Sequence, residues 1–175
     1  MGAAEAPRGS PRAATGRDAG ELVRLRHAMF RDMAGTGSAA RPREVDGTEW
    51  YGAAERELAA RMGVGSLAAF VVDDPDSRSP RLIGCAVAQL IGRLPGPGFS
   101  TGLSGELSSV YVELPHRGVG RGTELVRAAL HWFDLTGCEV VDLHATPDSE
   151  RIYRALGFEP PASSALRRLH PDLAR

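Results

Sequence analysis

Apolar residues recur along this chain at two different periods, and the switches between them mark out its elements. Leu22, Leu25, Met29 and Met33 repeat every three or four positions, the spacing of one helix face. Asp18 starts this helix, with Glu21 three residues on as a capping-box-like partner, and Gly35–Gly37 ends it. Tyr51, Ala54, Leu58 and Met62 give a second helix, capped by Thr48 and closed by Gly63 and Gly65. From Leu67 the pattern changes. Leu67–Val72 and Arg81–Ile91 are short apolar runs separated by Asp73-Asp74-Pro75-Asp76-Ser77, which is turn chemistry, so they predict an antiparallel hairpin. Glu106–Val112 is the next strand. A helix then runs from Thr123 to Leu135, with Leu125, Ala129 and Trp132 on its buried face and Gly137 as its stop. Glu139–Leu143 is a strand, and Pro147 to Leu156 a short helix ended by Gly157. Arg12–Thr15 and Ala165–Leu169 read as short strands near the two ends. The order is β-α-α-β-β-β-α-β-α-β.

The intervening stretches carry little periodicity. Residues 1–11 are rich in Ala, Gly and Pro and read as a disordered tail. Residues 35–47 are a small, polar loop. Residues 92–105 hold five glycines and two prolines, a long loop of the kind that is often functional. Without an internal repeat or a linker, residues 12–175 read as one domain.

Composition narrows the chemistry. The chain has 175 residues, a formal net charge of −1, and 21 basic positions that are all arginine. A charge this close to neutral argues against a general nucleic-acid binder. The absence of lysine excludes a Schiff-base lysine and a GK[ST] phosphate loop. An anion here must be held by arginine, by backbone N–H groups, or by both. Asparagine is absent too, and this shared bias toward Arg, Ala, Gly and Pro is that of GC-rich codons. Cys85 and Cys138 are far apart and lie in apolar stretches, so they read as small buried hydrophobes rather than a redox or zinc pair. The histidines have no metal-ligand spacing, and no metal is expected. No apolar run reaches the roughly 18 residues of a membrane span, and the N-terminus lacks a signal-peptide core. A cytoplasmic protein without a membrane partner is the expectation.

The segment Val112-Glu113-Leu114-Pro115-His116-Arg117-Gly118-Val119-Gly120-Arg121-Gly122-Thr123 joins a strand to the start of a helix. Glycines there let backbone N–H groups approach an anion closely, and the helix N-terminus adds unpaired donors and partial positive charge. This is a phosphate cradle that needs no lysine. A dinucleotide GxGxxG fingerprint starting at Gly118 fails, because its third glycine falls on Thr123.

Arg117-Gly118-Val119-Gly120-Arg121-Gly122 matches the R/Q-x-x-G-x-G/A motif, and Ile152-Tyr153-Arg154-Ala155-Leu156-Gly157-Phe158 looks like the later LYexxGF signature. With both in order inside this succession of strands and helices, the chain resembles the GCN5-related N-acetyltransferase (GNAT) family over about residues 12–170. The resemblance implies an α/β (α+β) fold: a mixed, mostly antiparallel central sheet splayed at its fourth strand, with helices on both faces. It implies acetyl-CoA as co-substrate and a primary amine of a small molecule or peptide as acceptor, attacked directly in a ternary complex. By the same resemblance, backbone groups of Val110 and Val112 pair with the pantetheine arm, and the Val112 N–H stabilises the oxyanion. The N–H groups of Gly118, Val119, Gly120, Arg121, Gly122 and Thr123 hold the pyrophosphate, flanked by the Arg117 and Arg121 side chains.

Tyr153 matches the tyrosine that protonates the departing thiolate. Glu106, at the start of the splayed strand, is the candidate base, with a water relay as the other route. Glu113 lies past the acceptor position, and His144 ends the fifth strand as a relay or as a satisfied half-buried histidine. Thr146 stands where many members carry an asparagine that contacts the cofactor arm, and its hydroxyl is the substitute. Ser149 keeps a small residue near it. On the acceptor side Met29, Phe30, Trp50 and Tyr51 supply apolar surface or simply core. Homodimers are common in the family. A module that binds acyl-CoA without turnover is the competing expectation.

Overall fold

The strand Leu82–Gly92 is buried on both faces, which is why its sequence reads as one continuous apolar run instead of an alternation. It is the middle strand, β3, of a five-stranded sheet in the computed structural model, which describes residues 9–35, 45–163, 165–166 and 168. The strands follow sequence order, β1 (Arg12–Ala13), β2 (Leu67–Asp73), β3, β4 (Leu103–Val112) and β5 (Val140–Leu143). All neighbours are antiparallel except β4 and β5, which are parallel. The helices are α1 (Ala19–Gly35), α2 (Tyr51–Gly63), α3 (Arg121–Thr136) and α4 (Pro147–Ala155).

The chain divides into two compact units, one ending at His144 and one beginning at Ala145. In the first, Leu22 and Leu25 of α1 pack on Leu67, Ala69, Val71, Cys85 and Val87, with Leu58 and Met62 of α2 at the margin. The opposite face takes α3, whose buried residues are Leu125, Val126, Ala129 and Phe133. Trp132, expected on that face, is only half-buried, and its neighbour Phe133 fills the position.

The hairpin, the four helices and their order follow the sequence expectation. The differences have local causes. A 3-10 turn, Gly16–Asp18, precedes α1, and Asp18 serves as its brace rather than as the first helical residue: its carboxylate accepts the Thr15 N–H at 2.7 Å. The residue preceding α2 is Trp50, not Thr48. Strand β4 begins at Leu103, inside the segment expected to be a loop. Gly102 turns the chain at φ +67°, Arg93 N–H closes the turn on its carbonyl at 2.7 Å, and pairing starts at once. Ser104 and Gly105 hide this strand start from a propensity reading, yet Gly105 is required: a Cβ there would lie 2.3 Å from Cε1 of Phe133. Of the strand expected at Ala165–Leu169, residues 165, 166 and 168 are not in a strand, and the rest lies outside the described residues. The expected tail at 1–11 is described only from residue 9, and residues 36–44 of the expected 35–47 loop lie outside the described residues as well.

Candidate functional site

Strand β5 pairs with β4 only from Ser104 to Leu107, so among the described residues β4 runs on from Ser108 to Val112 with no strand on that edge. The split begins at a bulge. Opposite Ala86 of β3, two β4 residues, Ser109 and Val110, occupy the space of one. Ser109 has φ +50°, a conformation that costs a non-glycine residue about 1–3 kcal/mol, and it is buried. Arg26 of α1 donates to the Ser109 hydroxyl, and the Cys85 thiol donates to its carbonyl at 3.2 Å. Burial pushes that thiol up to about 12, which keeps it protonated and inert.

Past the bulge the ladder fixes which edge each peptide faces. Glu113 N–H bonds to the Ile83 carbonyl at 2.9 Å, so the N–H and C=O of Val112, one residue earlier on the regular ladder, point away from β3. The Val112 carbonyl accepts Nε of Arg117 at 2.6 Å. A 3-10 turn, Leu114–His116, then leads to the glycine turn. Gly118 and Gly120 have φ +84° and +87°, and Gly120 is the residue before α3. Among the described residues no backbone carbonyl accepts the N–H groups of 118 to 123; the first helical bond is Glu124 N–H to Gly120 at 3.1 Å. A Cβ at Gly118, Gly120 or Gly122 would meet nothing within 4 Å, so the turn is uncrowded at these three positions. The arginines are less free than expected. Arg117 is tied to Asp32 at 2.8 Å and lies over the Tyr111 ring, while Tyr111 donates to the same carboxylate at 3.0 Å. Burial and that bond to Asp32 push the Tyr111 phenol up to about 12. Arg121 donates from Nη1 to the His116 carbonyl at 3.2 Å, and its Nε is buried without a partner among the described residues.

At the other side of the bulge lies a cavity of about 380 Å³ between α1, α2 and the sheet. Glu106, Ser108 and Ser109 form its β4 wall, Arg26 and Leu22 its α1 wall, and Glu57, Leu58 and Arg61 line it from α2. Glu106 accepts a hydrogen bond from the Gln89 amide, whose oxygen in turn accepts Arg61 at 2.8 Å. Met29, Phe30, Trp50 and Tyr51 are half-buried. His27 bonds to the Tyr51 hydroxyl and packs edge-on against Trp50 and Tyr51. Glu113 is held by Arg24 at 2.6 Å and Arg81 at 3.0 Å; burial alone would raise its carboxyl, but the two arginines hold it below the usual range. It is a structural anion.

In the second unit, Thr146 starts α4 by exchange with Ser149: its N–H donates to Oγ of Ser149 at 3.0 Å and the two hydroxyls meet at 3.0 Å. The Thr146 side chain is thus engaged in its own cap. Tyr153 is buried, stacked edge-on with Phe158 at 5.8 Å, and burial raises its phenol, against a smaller opposing effect of Ser149. His144, expected half-buried, is exposed, and Cys138 is half-buried, not fully buried.

The sequence reading missed Arg26, Arg61 and Gln89. The signal available for this wall was Ser108-Ser109 interrupting an apolar strand, since two small polar residues there mark a bulge. Among the described residues, no group of three or more His, Cys, Asp or Glu could hold a metal ion, and no helix is long and apolar enough to cross a membrane.

Comparisons with known proteins agree with this geometry. The chain is similar to the GCN5-related N-acetyltransferase of Ralstonia eutropha, at 21% identity and TM-score 0.72 over 91% of this chain and 97% of the other. It is similar to a predicted acetyltransferase with acetyl-CoA from Clostridium acetobutylicum, at 18% identity and TM-score 0.76 over 91% and 95%. It is also similar to AAC(6')-Iy in complex with the bisubstrate analogue CoA-S-monomethyl-acetylneamine, at 19% identity and TM-score 0.66 over 92% and 97%. At these identities the likeness establishes the fold. No curated protein sequence matches significantly. The sequence model described as Acetyltransferase (GNAT) family matches residues 38–158, the span that carries the bulge, the open strand edge and the glycine turn. This chain belongs to the GNAT family of acetyltransferases.

Proposed function

We propose that the protein transfers an acetyl group from acetyl-CoA to an amine held in the cavity beside Glu106. The observation that carries this reading is a row of backbone positions in two parts: the edge of β4 left unpaired by β5 beyond Leu107, at Val110 and Val112, and the N–H groups of residues 118–123, which no backbone carbonyl accepts among the described residues. The row fits a ligand with an amide-bearing arm and a pyrophosphate. The arm takes the place of a missing sheet partner, and the anion takes the donors at a helix N-terminus. Acetyl-CoA supplies the activated acetyl group.

Glu106 takes the proton from the acceptor nitrogen, directly or through a water. The nitrogen forms a bond to the acetyl carbon as the carbon–sulfur bond breaks. The Val112 N–H faces the developing oxyanion, and Tyr153 gives its proton to the departing sulfur. Burial favours the protonated phenol, the state a donor requires. Cys85 offers no covalent route, since it is buried and protonated. A module that binds acyl-CoA without turnover is the alternative, and the engagement of the Thr146 hydroxyl with Ser149 is the observation in its favour.

The test is a thermal shift with acetyl-CoA combined with an acetylation screen over amines. A ligand at a hundredfold excess over its Kd stabilises by about 2.7 kcal/mol, enough for a clear rise in Tm. Gly120→Asp puts a side chain and negative charge at φ +87° in the cradle and is expected to abolish that rise. Retained stabilisation in this variant would contradict the pyrophosphate assignment. Stabilisation without acetylation of any amine would favour the binding module.

A further inference from the structure

The polar lining of the cavity does not suit every amine. Among the described residues it carries two guanidiniums, Arg26 and Arg61, and two carboxylates, Glu57 and Glu106, so the formal charges of these residues cancel. A polyamine or another polycation would bring its outlying charges against the guanidiniums. A plain alkylamine would meet Glu106 and leave the opposite wall unmatched.

Arg26 is the informative residue. Arg12, Arg24, Arg81 and Arg117 each pair with a carboxylate at 3.0 Å or less. Arg26 is half-buried, yet among the described residues it has no carboxylate within ion-pair distance. Of its five N–H donors one reaches the Ser109 hydroxyl, and the guanidinium carbon sits 4.8 Å over the Phe30 ring. Burial lowers its pKa, an effect that neighbouring Cys85 and Glu106 only partly oppose. A partly desolvated cation without an anion is unfavourable, and a planar fork of donors is the geometry that takes a carboxylate in two parallel bonds. In the lining of the same cavity Glu106 is held by the Gln89 amide, which Arg61 fixes in turn.

We propose that the acceptor is a zwitterion, an α-amino acid, whose ammonium meets Glu106 and whose carboxylate meets Arg26. This rests on the acetyltransferase reading above and names the substrate class of that site. The cavity, at about 380 Å³, is at the small end of the roughly 300–1,000 Å³ of ligand sites, as a molecule of this size requires.

The experiment measures kcat/KM for amino acids against the amines that result from their decarboxylation, for example leucine against 3-methylbutylamine and tyrosine against tyramine. The amino acid is expected to be preferred by about tenfold or more, the worth of a charged bidentate contact. Arg26→Met is expected to remove that preference by raising KM for the amino acid. Arg26 also braces the bulge, so Ser109→Ala serves as the second variant. It removes the brace and keeps the guanidinium, and the preference is expected to survive. A wild-type preference for the decarboxylated amine or a polyamine would overturn the proposal. So would a preference untouched by Arg26→Met, or equally lost in Ser109→Ala. Failure to acetylate any amino acid would overturn it as well. In that event acetylation of another amine shows that the transferase reading stands, and absence of any acetylation shows that both fail.

Discussion

Two residues show how tightly single positions are specified. Gly105 sits in a strand, where glycine ordinarily weakens pairing, because the Phe133 ring occupies the space its side chain would need. Gly105→Ala would gain about 0.4–1 kcal/mol through the unfolded chain but lose about 1–3 kcal/mol to overpacking. The loss dominates, so Tm is expected to fall by roughly 2–4 °C per kcal/mol, measurable by thermal unfolding. Phe133 is almost fully buried and cannot swing out, so the usual relief through a flexible neighbour is closed. Ser109 is the other such position, held at a positive φ by bonds from both of its sides.

Among elements, the entry to α1 carries a pH-dependent brace. Asp18 accepts two bonds from Arg12 and one from the Thr15 N–H, and Arg12 reaches across to Asp73 at 2.7 Å. The Arg12 guanidinium, aided by Thr15, holds the Asp18 carboxyl below the usual range against the effect of burial. A carboxyl depressed in the folded state adds stability above its unfolded pKa of about 3.9 and loses it as pH falls through the folded value. Asp18→Asn is therefore expected to cost about 1 kcal/mol near neutral pH, with the gap to the parent closing below about pH 4. A gap that stays constant across an acid titration of urea unfolding would refute this linkage. The same element shows what a sequence reveals. The helical spacing of Leu22 and Leu25 announced α1, and the Asp-rich turn announced the β2–β3 hairpin. The contacts that anchor them, Arg12 with Asp73 and Arg24 with Glu113, join residues 61 and 89 positions apart. No local pattern encodes such pairs. The start of β4 was hidden for a related reason: Ser104 and Gly105 are chosen for a partner on another element, and local propensity does not register it.

For the whole molecule, the glycine turn and the Ile152–Phe158 signature were legible because both are local and chemically constrained. The cavity was not. It is assembled from α1, α2, β2, β3 and β4, and only Glu106 among its charged groups stood out beforehand. Tyr153 belongs to the second compact unit, and the acid role proposed for it rests on its place in the signature. Tyr153→Phe removes one hydroxyl from a buried ring and keeps the stacking on Phe158. It is expected to lower kcat by about tenfold or more while acetyl-CoA still raises Tm. A variant with parental kcat would remove Tyr153 from the proton pathway.

On the proposed reading, the unpaired length of β4 and the turn after it offer peptide groups, not side chains, to acetyl-CoA. A surface made of main chain is common to nearly every residue that can adopt its conformation. Val119 and Thr123 can therefore drift through many identities without altering the donors displayed, whereas Gly118 and Gly120 cannot. On that reading a chain without a single lysine can still hold a pyrophosphate, because the donors depend on backbone shape and not on any side chain.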